Sequence, residues 1–102
     1  MTKYTAMYFI KKFSEIPENE WTMGNWHDAG KSCALGHCGE TAHSSNTKES
    51  LAFRRLLEKI GDTCGYEVND AFLKDDFYEL GTHPKERVLN ALLLINAGED
   101  LR

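Results

Sequence analysis

Cys33 and His37 stand four positions apart, and Asn69, Asp70 and His83 follow later in the chain. Those residue types are the parts of a cysteine hydrolase. A cysteine opening a short helix meets unpaired amides and the positive end of the helix dipole, which favour the thiolate. A histidine four residues on shares its face and is placed to act as base. Asn69, Asp70 or His83 would then orient the imidazole. Zinc is a second chemistry for the same region. Cys33, Cys38 and His43 are each separated by four intervening residues, and His27, His37 or Cys64 would complete a tetrahedron. The tight Cys-x-x-Cys pairs usual in zinc sites are absent from the sequence. Against both stands a plain alternative: Cys33 as a small buried hydrophobe, with His37, Cys38 and His43 incidental on a turn.

These residues sit in an unusual block, 21–39, which also holds both tryptophans, Trp21 and Trp26, and Gly24, Gly30, Gly36 and Gly39. Such a mixture gathers where a chain turns tightly around a ligand or a packed neighbour. One tryptophan is expected to plug the core between the first and last helices, and the other to stack on a planar ligand or partner. Trp21, Trp26, His27, Cys33, His37, Asn69 and Asp70 therefore form the candidate ligand-binding set. The same set reads equally as a tertiary lock, in which Asn69-Asp70 hydrogen-bonds the glycine-rich loop.

Stepping out to the elements, the apolar spacing predicts helices. Ala6, Phe9, Ile10 and Phe13 make a stripe over a first helix starting at Thr2 or Thr5 and ending at Ser14, stopped by Pro17. Ser32 is expected to cap a short helix over Cys33 to Thr41, ahead of a loop that includes His43. Asn46 with Glu49 reads as the capping box of a third helix carrying Phe53, Leu56, Leu57 and Ile60 and closed by Gly61. Val68-Asn69-Asp70 reads as a turn into a broken helical stretch with Phe72, Leu73, Phe77, Tyr78 and Leu80. Pro84 takes the first position of a last helix that Gly98 should end. Leu89, Leu93 and Leu94 widen that helix's apolar surface beyond one face, so residues 84–97 are the expected surface for a homo-oligomer. Strand signals are poor. The expectation is all-α: a single domain over 1–102, a compact bundle of four to five helices with the Gly/Trp-rich loop packed on it.

Composition narrows the partners. The chain has 102 residues, which suits one core, and a net charge of −4 argues against a nucleic-acid binder. No segment approaches the ~20 apolar residues of a membrane span, and the first residues lack a signal-peptide pattern. Three cysteines, an odd number, fit a reducing cytosol. No cofactor motif is evident.

In order, Trp26, a glycine, Cys33-Ala34-Leu35-Gly36, an amphipathic helix, Asn69-Asp70, and a last helix with Val88-Leu89-Asn90-Ala91-Leu92 make a recognisable outline. It resembles the DUF6197 type, a family of small bacterial and phage-encoded proteins of unknown function. His37 and Cys38 depart from the small or aliphatic residues expected after the glycine, and Phe72–His83 looks like an insertion. The resemblance implies a cytosolic accessory protein, phage-borne, with Cys33, Leu35, Gly36, Asn69 and Asp70 as shared positions. The expected function is a non-enzymatic binding protein that sequesters a nucleotide-like ligand or blocks a host protein, including a defence system. The alternative is a hydrolase using Cys33 with His37 or His83.

Overall fold

A computed structural model describes residues 3–23, 27–41, 47–62, 65–71 and 75–100. Helix α1 spans Ala6–Ser14, and Thr5 caps it by accepting the Tyr8 N–H. A 3-10 turn, Glu18–Glu20, follows Pro17. Strands β1 (His27–Asp28) and β2 (Lys31–Ser32) form a minimal antiparallel hairpin. Then come α2 (Ala34–His37), α3 (Lys48–Glu58), α4 (Glu67–Asp70), α5 (Asp75–Tyr78) and α6 (Pro84–Asp100). The fold is all-α, and no described helix is long and apolar enough to cross a membrane.

The core follows the predicted stripes. Ala6, Phe9 and Phe13 of α1, Phe53 and Leu57 of α3, and Val88, Ala91 and Leu92 of α6 are fully buried. Phe9 and Phe13 each meet Phe53 with ring centroids 5.3 and 5.5 Å apart. Each such ring buries enough apolar surface to contribute on the order of 2 kcal/mol. The start of α6 lies at the end of α1, where the Lys85 ammonium reaches the Ser14 carbonyl at 3.2 Å. Lys12 and Tyr8 of α1 both bond the Glu49 carboxylate of α3.

Four local expectations are corrected. Helix α2 is a single turn capped by the Cys33 backbone, because Ser32 is taken into β2, and Gly36 and Gly39 end the helical run early. At α3 the capping box is Thr47 with Ser50: Ser50 N–H donates to the Thr47 hydroxyl, and Thr47 N–H to that of Ser50. Glu49 is committed instead to Lys12 and Tyr8, and Asn46 lies outside the described residues. The hairpin exists despite weak strand patterning, because its turn supplies what the strands lack. Ala29 and Gly30 both take positive φ, +52° and +84°, the geometry that two-residue hairpins favour. Finally, α6 runs through Gly98 to Asp100. Gly98 is exposed and its φ lies outside the left-handed region, so it continues the helix although glycine there commonly ends one.

Behind α2, the Glu40 carboxylate is fully buried and held by Arg54 of α3 through Nε and Nη2, at 3.0 and 2.9 Å. The fully buried Asp62 accepts N–H bonds from Gly65 and Val68 and so shapes the turn into α4.

Candidate functional site

Asn69 is the centre of the glycine-rich block. Its Oδ1 accepts the Ala34 N–H at 3.1 Å, at the first turn of α2. Its Nδ2 donates to the Thr22 carbonyl and to Asp70 Oδ1, each at 2.9 Å. The side chain therefore ties the segment before the hairpin to the helix after it. Thr22 and Ser32 are themselves joined, since Thr22 N–H donates to the Ser32 carbonyl at 3.1 Å. Helix α4 is short and ends at Ala71 in the left-handed region, φ +57°, leaving its last carbonyls without helical donors.

Arg87 of α6 supplies those donors. Its Nε–H bonds the Val68 carbonyl at 3.0 Å and Nη2 the Asn69 carbonyl at 2.6 Å. Nη1 reaches the Gly81 carbonyl at 3.2 Å, and Nη2 also lies 3.1 Å from the Met23 sulfur. Arg87 is 2% exposed. Burial lowers its pKa, with Tyr78, Asp70 and Glu86 acting in the opposite direction. Nothing in the sequence reading pointed to Arg87. The available signal was a cation one turn before Ala91, on the face of α6 that also carries apolar side chains.

Cys33 is 4% exposed at the cap position of α2. Burial pushes its thiol up; the amides of Gly36 and Leu35 oppose this, as the helix-start argument requires, and Asp70 reinforces it. Desolvation wins because the thiol faces a packed interior while the helix behind it is one turn long. His37 does share the helix with Cys33, but its Nε2 pairs with the Glu20 carbonyl at 3.1 Å and its ring leans on Trp21, centroids 4.8 Å apart. Burial lowers the His37 pKa. His83 is occupied at the start of α6, where Nδ1 accepts the Lys85 N–H at 3.1 Å. Among the described residues no side-chain hydrogen bond joins Cys33, His37 and His83; the one link is the helical bond from the His37 N–H to the Cys33 carbonyl at 2.9 Å.

Trp21 is buried, edge-on to Phe13 at 5.3 Å, and its indole N–H donates to the Ile16 carbonyl. Its ring neighbours are Phe13 of α1 and His37 of α2, and it belongs to the same buried cluster as Val88, Ala91 and Leu92 of α6. His27 is exposed and pairs with Ser32 across the hairpin, Nδ1 to Oγ 2.6 Å. Asp70 is buried beside Asn69. For the zinc set, Cys38 is buried and its thiol is pushed up by burial, while Trp26, His43 and Cys64 lie outside the described residues. Among the described residues, no three His, Cys, Asp or Glu side chains cluster in a way that would hold a metal ion.

The fold and this clamp define a small helical protein whose polar corner is wired into its own backbone. No family model matches the chain, and no curated protein or solved structure matches it.

Proposed function

We propose that this is a non-enzymatic binding protein that acts by occupying a partner protein. One contrast carries the reading. The side chains able to do chemistry, Cys33, Asn69 and Asp70, are buried and engaged internally, while large side chains suited to recognition face outward. Met7, Met23, Tyr66, Tyr78, Leu93 and Leu94 are the outward set, with Leu93 and Leu94 at 50% and 58% exposure on one helix. Methionine and tyrosine are enriched where proteins meet, and contiguous exposed apolar patches mark contact surfaces. The resemblance to the DUF6197 type supports a phage-borne protein acting on a host system in a bacterial cytosol.

Pull-down from a bacterial lysate tests this reading, comparing the natural chain with a Leu93→Lys/Leu94→Lys variant. Specific capture by the first and not the second is expected, with both similarly stable because at least half of each of these residues is already exposed. No capture by either, together with a thermal shift on adding nucleotides, would replace the partner protein by a small ligand. The hydrolase alternative requires Cys33 to alkylate in the folded protein; labelling is expected only after unfolding.

A further inference from the structure

The geometry points to a carboxylate-recognition site at Arg87, now closed by the Met23 side chain, into which an acidic side chain of the partner inserts. It rests on the binding reading above and specifies its chemistry. Arg87 is a buried cation whose described hydrogen-bond acceptors are three backbone carbonyls and one thioether. The carbonyls of Val68, Asn69 and Gly81 are explained by the clamp. The thioether is not. Sulfur of this kind is a weak acceptor, whereas an Nη2–H bond to a carboxylate is among the stronger hydrogen bonds proteins make.

Met23 is also the movable partner. Its side chain is unbranched, and the residue is 51% exposed, so it can swing into water without breaking packed core. Doing so frees the Nη2–H now directed at the sulfur. Tyr78, half-exposed, favours the charged form of the guanidinium electrostatically. A carboxylate there would find a cation, with the methionine and phenol to cover its methylene stem. Arginine, tyrosine and methionine are the residue types that anchor protein interfaces.

Two carboxylates temper the field. Asp70 is held by Asn69 Nδ2, and Glu86 accepts the Thr82 N–H. Both offset part of the Arg87 charge. A free carboxylate is therefore held weakly, and affinity comes from the apolar stem and its surroundings.

The test follows the methyl carbon of Met23 by NMR in 13C-methyl-methionine protein, titrated with acetate, phosphate or a short Glu-rich peptide against sodium chloride of equal ionic strength. A saturable Met23 shift with acetate and a tighter one with the peptide are expected, while the exposed Met7 methyl stays still. A Met23→Leu variant should keep the response at the Arg87 Nε–H resonance and bind at least as tightly, since the thioether no longer competes. Acetate and peptide binding equally would keep the site and make its ligand a free carboxylate; a stronger response to phosphate would make it a phosphate site and overturn the carboxylate assignment. Identical behaviour in acetate and chloride at both Met23 and Arg87, with no response to the peptide, would overturn the site altogether. That result would leave a lysate partner captured through Leu93 and Leu94 untouched.

Discussion

At the scale of single residues, Asn69 does the most. Its amide satisfies the buried Ala34 N–H at the start of α2 and the part-buried carbonyl of Thr22. Leaving a buried backbone group unsatisfied costs about 1–3 kcal/mol. Asn69→Ala is therefore expected to lower stability by roughly 3 kcal/mol in urea unfolding; a loss below about 1 kcal/mol would mean that water replaces the amide easily. Asn69→Asp should fare no better, because its second oxygen cannot donate to Thr22 and faces Asp70. His37 adds a pH dependence. Its folded pKa lies below the usual ~6.5, so the unfolded chain binds more protons between those two values. Stability is full above about pH 6.5 and falls as pH drops toward the folded value. His37→Gln should flatten that part of the stability–pH curve. An unchanged slope would assign it to other groups.

The element scale separates what the chain declares from what it conceals. Helices α1, α3 and α6 were legible because Phe9, Phe13, Phe53, Leu57, Val88 and Leu92 repeat at helical spacing, and those side chains do fill the core. The ends were harder to read. Asn46-Thr47 offers adjacent capping residues, and the choice depends on Glu49 being drawn away by Lys12 and Tyr8, a contact between helices far apart in sequence. At Gly98 the glycine permits a stop without imposing one, and α6 runs on to Asp100. A Cβ at Gly98 meets nothing within 4 Å, and its φ is not in the left-handed region. Gly98→Ala should therefore stabilise the protein by about 1 kcal/mol, read as a rise in melting temperature. A fall would mean that α6 closes at Gly98 in solution.

Over the whole molecule, the candidate site was half legible. Local spacing brought Cys33, Asn69 and Asp70 to notice, and the lock was one of two readings of them. Arg87 went unnoticed because its role is set by three carbonyls far from it in sequence or outside its helix, two on α4 and one at Gly81, which no local pattern encodes. The state of Cys33, reactive or buried, was left open by the sequence for a related reason. Helix-start electrostatics are local and visible in a sequence, whereas desolvation depends on how many distant residues crowd the thiol.

The Asn69 amide reaches 35 and 47 positions back along the chain, to Ala34 and Thr22. Closing loops of that length is entropically costly, so such bonds form after the local helices have docked. A stopped-flow chevron should therefore show Asn69→Ala accelerating the unfolding limb while leaving the refolding limb nearly in place. The corner would then be a latch on kinetic lifetime, setting how long the native state persists once made and contributing little to how fast it is reached.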